Sequence, residues 1–239
     1  MKKMWFLSLI GFLIFLIVLL TFVGFSILVK THKTNIQTKN DEFVVVVDCG
    51  HGGPDGGAVA ADGTVEKDIN LRLGFQLREL LVSYGYNVVM TREKDEFICD
   101  DHSASLREQN ISDLHNRLAI AEKYSNSIFI SLHMNKFTDA DSHGSQLFYS
   151  PNDKSSRLLA EMIRNRLLND TQKGNERALK EMDDSVYIIH NATHPALLLE
   201  CGFLSNVKER ENFKDNIYRS KFVYDVFCGI IDFKGEKAR

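Results

Sequence analysis

Two histidines and one glutamate each follow a run of apolar residues, in positions that could do metal-dependent chemistry. His51 stands in a glycine-rich loop after four consecutive valines, and His133 and Glu200 each end a later apolar run. A second glutamate, Glu66, comes fifteen positions after His51. Two imidazoles and a carboxylate are a common ligand set of catalytic zinc, and a further carboxylate can act as a general base. Either histidine alone would be read as a loop or core residue, so the ordered set of four carries the prediction of a zinc site.

The elements that must position these residues alternate between strand and helix. After the first strand, Glu66 opens a helical pattern with its apolar residues on one face. Residues 86–91 read as a second strand, and Ser112 can cap a helix that leads into the strand before His133. This order predicts an α/β fold with a mostly parallel central sheet covered by helices on both faces. Ligands of such sheets gather at the carboxyl ends of the strands, where three of the four residues stand.

The rest of the chain is predicted with less regular spacing. Residues 93–110 are polar and acidic without periodicity, which predicts a long loop beside the site. The pattern then predicts a strand at residues 144–150 and an amphipathic helix at 153–169, followed by a polar segment at 170–184. Two short apolar runs, at 186–189 and 196–199, precede a final helix at 216–233.

Together these motifs resemble those of the zinc-dependent N-acetylmuramoyl-L-alanine amidases of the amidase-3 family, over about residues 43–231. The resemblance implies that His51, Glu66 and His133 bind Zn2+ and that Glu200 is the catalytic acid/base. It also implies that the substrate is peptidoglycan, cut at the amide bond between N-acetylmuramic acid and L-alanine.

Several further residues could support such a site. Arg92, Arg117 and Asn135 match positions that recur in the family's motifs, although solvated or capping roles explain them equally well. A ligand histidine also needs a partner for its other ring nitrogen, and Asp48, Asp55 or a backbone carbonyl could serve. The sequence does not choose among them.

The cysteines show no spacing that indicates a disulfide framework or a structural zinc site. Cys49 and Cys201 stand where the family often has proline and threonine, and neither change removes a ligand. Each lies beside a predicted site residue, and the two could approach one another if their strands are neighbours. The simpler reading is that both are small buried residues.

The N-terminal segment predicts an attachment to the membrane. Trp5–Val29 is a run of 25 residues without a charge, between lysines on both sides, and is long enough to cross a bilayer as one transmembrane helix. A cleaved signal peptide is the alternative, although its apolar core is usually about 7–15 residues long. We therefore expect a signal anchor at 1–30, a tether at 31–41 and a catalytic domain at 42–235. The substrate places that domain on the extracytoplasmic side of the cell membrane, facing the cortex in a sporulating cell.

A single catalytic domain with an anchor and no wall-binding repeats also resembles the sporulation and germination type of these amidases, which act in forming spore-cortex muramic lactam. A tethered wall hydrolase would be harmful if always active, so an activator protein is a further expected partner. The net charge of -3 gives no indication of a basic surface that would bind nucleic acid, so nucleic acid is not an expected partner.

Two other classes of function compete with an amidase. The first is a catalytically silent peptidoglycan-binding module or membrane-tethered sensor on the same fold, whose mark would be the loss of a ligand or of Glu200. The second is a nucleotide-binding protein, because a strand runs into the glycine-rich loop at 50–57. That loop lacks the lysine ending of a P-loop and the spacing of a dinucleotide fingerprint.

Overall fold

A six-stranded mixed sheet is the centre of the part of the chain that the computed structural model describes, residues 42–237. The strand order is β2-β1-β3-β6-β4-β5, and neighbouring strands are parallel except β4 and β6, which are antiparallel. The strands are β1 (Val44–Cys49), β2 (Asn87–Met90), β3 (Ser127–Asn135), β4 (Gln146–Tyr149), β5 (Lys180–Glu181) and β6 (Ala196–Phe203). The α/β class is confirmed, and the antiparallel β4 makes the sheet mixed.

Six helices in residues 42–237 connect and cover the strands. They are α1 (Glu66–Ser83), α2 (Leu106–Glu122), α3 (Lys154–Asn169), α4 (Tyr187–Asn191), α5 (Val207–Lys214) and α6 (Asn216–Lys237). Alternate residues of β1 show how the helices divide between the faces. Val45 and Val47 pack in the core with α1, α3 and α6, whereas Val44 and Val46 pack with α2 and α4. Strands buried on both faces have near-continuous apolar sequences, which explains the run of valines.

The helix predicted to start at Glu66 is α1. Its buried apolar residues, Ile69, Leu73, Leu77 and Leu81, recur every three or four positions and face the sheet. Gly74 lies against β1 so closely that a Cβ there would stand 2.2 Å from Cys49 Sγ. Glycine at this position therefore lets α1 approach the strand that leads into the His51 loop.

The predicted start of the next helix is wrong. Helix α2 begins at Leu106, and Ser105 is its N-cap, with Glu108 completing a capping box. Ser112, which was expected to be the cap, lies inside the helix, and its hydroxyl accepts a hydrogen bond from the backbone N–H of Asp100 at 3.0 Å. The serine and glutamate three positions apart are the signal that predicts the true start.

In the second half, the predicted strand, helix and final helix correspond to β4, α3 and α6. The two short apolar runs form different elements: Val186 is the N-cap of helix α4 and residues 187–189 lie within that helix, whereas residues 196–199 lie in β6. The polar segment contains the two-residue strand β5, and α5 was not predicted. Cys49 and Cys201 are free and buried, and β3 lies between their strands.

The predicted signal anchor at 1–30 and the tether at 31–41 lie outside the described residues. Within residues 42–237, none of the helices combines the length and apolar character that a bilayer crossing requires. The proposed boundaries of the catalytic domain, 42–235, stay a prediction.

Candidate functional site

The three residues predicted to bind metal lie together at the carboxyl ends of the parallel strands. One ligand atom from each of His51, Glu66 and His133 can be chosen so that the three lie within 4.8 Å of one another. Glu66 Oε1 is 2.9 Å from His133 Nδ1 and 3.2 Å from His51 Nε2. These three residues are called the ligand cluster below.

Each member of the ligand cluster comes from a different element. His51 follows β1, Glu66 is the first residue of α1, and His133 lies near the end of β3, which is paired in parallel with β1. A carboxylate in the first turn of a helix is favoured by the positive end of the helix dipole. The cluster therefore depends on two adjacent parallel strands and on the helix that joins β1 to β2.

Electrostatics in the ligand cluster favour a bound cation. Burial raises the pKa of Glu66, but hydrogen bonds with the two histidines hold it well below its usual range, so the carboxylate is charged. Burial lowers the pKa of His51, but hydrogen bonds with Asp55 and Glu66 outweigh burial and raise it to about 10. The site therefore stabilises positive charge, and two imidazoles with a charged carboxylate fit Zn2+.

Close backbone approach also shapes the ligand cluster. A Cβ on Gly50 would lie 2.1 Å from His133 Nε2, and one on Gly57 would lie 2.6 Å from Glu66 Oε2. Gly57 has a φ of +66°, which disfavours other residues as well. Glycines at these two positions therefore leave room for the imidazoles and the carboxylate.

His51 has a φ of +63°, a conformation that side chains with a Cβ rarely adopt. Such strain costs about 1–3 kcal/mol and needs surrounding contacts to maintain it. Two buried arginines supply them: Arg117 donates to the carbonyls of Cys49 at 2.8 Å and His51 at 2.9 Å, and Arg92 donates to those of Cys49 at 2.8 Å and Gly50 at 3.1 Å. Arg92 and Arg117 therefore contact the backbone of the ligand loop.

Arg117 is itself held by two buried carboxylates. It donates to Asp48 at 2.7 Å and to Asp113 at 2.6 Å. The hydroxyls of Thr91 and Ser131 also donate to Asp48, at 2.7 and 2.6 Å. Burial raises the pKa of Asp48, but Arg117 and these hydroxyls hold it below its usual value. Asp48 is thus part of the support beneath the loop and is not the histidine partner.

Asp55 is the carboxylate that orients a ligand histidine. Its Oδ2 lies 2.7 Å from His51 Nδ1, and its Oδ1 accepts a hydrogen bond from the N–H of Gly57 at 2.9 Å. Asn135 has a different role, since its backbone carbonyl accepts from Leu204 N at 2.7 Å and so joins the ends of β3 and β6.

Glu200 lies beside His133, because the two residues are paired in register on β3 and β6. Its Oε2 is buried and has no hydrogen-bond partner among residues 42–237. Burial raises the pKa of Glu200 to about 7; the charge of Glu66 adds to this, and the two histidines oppose it. A carboxyl group with this pKa can both accept and release a proton near neutral pH.

Sequence reasoning missed one residue that supports the ligand cluster, Asn70, and did not single out Gln146 or Arg177. Asn70 donates to Glu66 Oε1 at 3.2 Å, and its position one helical turn after Glu66 could have indicated the contact. Gln146 is opposite Glu200 on β4, and Arg177 lies on the segment before β5. The antiparallel direction of β4, which places Gln146, has no clear signal in the sequence.

Comparisons with known proteins agree with this geometry. The family profile described as N-acetylmuramoyl-L-alanine amidase matches residues 45–232. The germination-specific N-acetylmuramoyl-L-alanine amidase of Bacillus subtilis is 31% identical over 198 residues, which cover 81% of each chain. The amidase AmiA of Escherichia coli is 30% identical over 157 residues, covering 66% of this chain and 48% of AmiA.

Solved structures show the same fold. The CwlD amidase of Clostridioides difficile, determined in complex with the GerS lipoprotein, superposes with a TM-score of 0.77 at 35% identity, covering 81% of this chain and 98% of that one. The catalytic domain of the amidase CwlV of Bacillus (Paenibacillus) polymyxa gives a TM-score of 0.67 at 27% identity, covering 80% of this chain and 98% of that domain.

Proposed function

This chain belongs to the N-acetylmuramoyl-L-alanine amidase family, and on that basis we propose that it is a zinc enzyme of the cell membrane that acts on spore-cortex peptidoglycan. Its reaction is the hydrolysis of the amide bond between N-acetylmuramic acid and L-alanine. The observation that carries the proposal is the ligand cluster with Glu200 beside it, its buried Oε2 without a partner.

The ligand cluster would hold the zinc. When bound by two imidazoles and a carboxylate, Zn2+ lowers the pKa of water to about 7 and polarises a carbonyl group. Asp55 fixes the ring orientation of His51, while Arg92 and Arg117 hold the loop on which His51 stands. Support of this kind typically changes metal affinity 10- to 100-fold.

Glu200 performs the proton transfers. In its ionised form, the carboxylate accepts a proton from the attacking water as oxygen bonds to the lactyl carbonyl carbon. The same carboxyl group then gives that proton to the nitrogen of L-alanine as the C–N bond breaks. General acid/base work of this kind contributes about 10²- to 10⁴-fold to the rate. A pKa of about 7 makes both forms of Glu200 available near neutral pH.

We propose that the biological role is in forming the muramic lactam of the spore cortex. The similarity to a germination-specific amidase of Bacillus subtilis supports this assignment, as does the similarity to CwlD. Because CwlD was determined together with a lipoprotein, we also propose that an accessory protein assists this chain. A deletion strain whose cortex keeps its normal muramic lactam content would contradict the spore role.

We propose that the catalytic domain lies on the extracytoplasmic side of the membrane, facing the cortex in a sporulating cell. The support is the uncharged run Trp5–Val29 and the location of the substrate outside the membrane. Fractionation of vegetative cells that express the chain, followed by protease treatment of their intact spheroplasts, tests both statements. Protection of the domain from protease would contradict them.

A catalytically silent peptidoglycan-binding module or membrane-tethered sensor is the alternative. The observation against it is that all four site residues are present and that Glu200 lies beside the ligand cluster. To separate the two, the full-length chain in detergent is incubated with zinc and purified peptidoglycan, with Glu200→Gln as the matched variant. We expect mass spectrometry to find stem peptides with a free N-terminal alanine for the wild type alone.

The outcomes of that experiment are distinct. Release of such peptides by both proteins would remove Glu200 from the mechanism. No release by a folded, zinc-loaded wild type that still binds peptidoglycan, with or without added cell extract, would favour the silent module. The need for an accessory protein is tested by the zinc content and melting temperature of the pure chain with and without cell extract. Tight zinc binding and full activity of the pure chain would contradict it.

A further inference from the structure

Arg177 lies on a segment that is attached to the strand beside Glu200. Gln146, which is opposite Glu200 in the pairing of β4 with β6, donates from its side-chain amide to the carbonyl of Ala178 at 2.5 Å. This contact ties the segment before β5 to β4. Arg177 belongs to a loop, and this contact holds the loop close to β4, the strand that pairs with β6 at Glu200.

Two contacts fix the guanidinium group of Arg177. Its Nε donates to the carbonyl of His143 at 2.8 Å, and its Cζ lies 4.5 Å from the centroid of the Phe203 ring. Among the described residues, its two terminal nitrogens make no hydrogen bond and no ion pair. A planar, oriented guanidinium with unused donors is suited to bind a carboxylate with two parallel hydrogen bonds.

The distance from Arg177 to the reaction centre matches a short peptide. Phe203, on which the guanidinium lies, is three residues beyond Glu200 in β6. A strand rises roughly 3.3 Å per residue, so the two Cα atoms are about 10 Å apart at most. An extended peptide covers a similar length per residue. The guanidinium is thus within reach of the first few residues of a peptide whose N-terminal amine is at Glu200.

Space for such a peptide exists around Arg177. The guanidinium lines a cavity of about 580 Å³. A second cavity of about 710 Å³ shares part of that lining, including His143 and Asn175, and adds Lys173, Lys208 and the carboxylate of Glu209. The smaller cavity also carries the exposed carboxylates of Asp141 and Glu176. Arg177 is the one lysine or arginine among the described residues that line this cavity, so a carboxylate ligand there would pair with Arg177.

The direction of the reaction indicates which part of the substrate reaches this cavity. The ligand cluster stands on the β1 and β3 side of the site, Glu200 on β6, and β4 follows β6 in the sheet. Because Glu200 gives its proton to the departing amine, the amine lies on the Glu200 side of the scissile bond. The stem peptide, which continues from that amine, would extend past β6 towards β4 and Arg177.

We propose that Arg177 is a substrate-specificity residue that binds a carboxylate of the stem peptide. This inference rests on the proposed amidase function and adds the part of the substrate that the enzyme recognises. Peptides whose carboxylates are free are preferred over peptides in which the same groups are amidated. Arg177 holds the leaving peptide and takes no part in the proton transfers.

The test uses the full-length chain with zinc and two N-acetylmuramoyl-peptides that differ only in whether the stem carboxylates are free or amidated. We expect Arg177→Gln to lose about 10- to 100-fold in kcat/KM on the free-carboxylate peptide, mostly through KM, and little on the amidated one. Arg177→Lys should have an intermediate kcat/KM, because lysine keeps the positive charge but cannot make the two parallel hydrogen bonds of a guanidinium group. Arg157→Ala, at an exposed arginine paired with Glu161 on α3, is the matched control and should resemble the wild type.

An equal effect of Arg177→Gln on both peptides, or no effect on either, would overturn the proposal and leave the amidase function standing. If the wild type cleaves neither peptide, with or without cell extract as the source of an accessory protein, the amidase function itself fails. For that reason binding of the free, non-amidated stem peptide is measured separately by calorimetry. Binding that Arg177→Gln weakens supports the role of Arg177 without any turnover, and binding unchanged by the variant, or absent from the wild type, contradicts it.

Discussion

Glu66 and Glu200 are carboxylates close to the same histidine, but their surroundings differ. The two oxygens of Glu66 receive hydrogen bonds from Ala58 N at 2.8 Å, Met134 N at 3.0 Å and Asn70 at 3.2 Å, besides the contacts with histidine. Glu200 Oε2 has no partner among residues 42–237. Burial raises the pKa of Glu66, but the hydrogen bonds with His133 and His51 hold it well below its usual range, whereas burial raises the pKa of Glu200 to about 7.

The different surroundings suit the two carboxylates to different tasks. A carboxylate that is to hold a resident cation is fixed in advance by many donors, which keep it ionised. A carboxylate that is to exchange protons keeps a buried oxygen without a partner, and burial brings its pKa near the working pH. The same contrast holds for two arginines, since Arg117 is saturated with buried acceptors and Arg177 keeps two nitrogens unused.

The largest expected effect follows the loss of a member of the ligand cluster. His133→Ala should lower zinc affinity by more than about 100-fold, because even the outer partners of metal ligands are worth 10- to 100-fold. Activity should fall below detection. Zinc titration with a competing chelator measures the affinity. His194→Ala, at a partly exposed histidine just before β6, is the control, and equal zinc loss in both variants would contradict the assignment.

Glu200→Gln should show most clearly that Glu66 and Glu200 have different roles. We expect kcat to fall about 10²- to 10⁴-fold while the zinc content remains that of the wild type, because in the proposed mechanism Glu200 moves protons and Glu66 holds the metal. Turnover and metal analysis of one sample give both values. Glu79→Gln, at an exposed glutamate of α1, controls for the change of charge. Loss of zinc from the Glu200 variant would assign Glu200 to the metal instead.

The contrast between the arginines predicts different stabilities. Arg117→Leu leaves Asp48 and Asp113 buried without their partner and should lower the free energy of unfolding by about 3–5 kcal/mol. Arg177→Gln removes a half-exposed group with one hydrogen bond and should change the same free energy by less than about 1 kcal/mol. Urea unfolding of both variants measures the difference. Similar values would mean that Arg177 is structural.

The smallest effect is expected at the partner of His51. Asp55→Asn keeps the size of the side chain but weakens its hold on the imidazole, so zinc affinity should fall about 10- to 100-fold. The melting temperature of the metal-free protein should change little, because Asp55 is half-exposed. Unchanged zinc affinity would show that the backbone alone orients His51.

Much of the site could be predicted because it depends on strand ends. His51, His133 and Glu200 follow apolar runs, and parallel strands bring the ends of such runs to one edge of the sheet. Glu66 was assigned from the family resemblance, since a glutamate in the first turn of a helix is common without a metal. The local patterns therefore predict where His51, His133 and Glu200 lie, whereas the assignment of Glu66 needs the family resemblance.

The positions of Gln146 and Arg177 could not be predicted in the same way. Gln146 is paired in register with Glu200 only because β4 runs antiparallel to β6, and the direction of a short strand depends on long-range packing. Arg177 lies in a polar segment without periodicity, and its place is set by contacts with His143 and Phe203, both distant in sequence. Such contacts leave no local pattern.

The central claim is that His51, Glu66 and His133 hold zinc while Glu200 stays free for proton transfer. Zinc-edge X-ray absorption of the purified chain and of Glu200→Gln tests it most directly. We predict the same spectrum for both, with nitrogen and oxygen ligands at about 2.0–2.2 Å and no sulfur near 2.3 Å. Sulfur ligation, which would bring in a cysteine, or a spectrum altered by Glu200→Gln would contradict the claim.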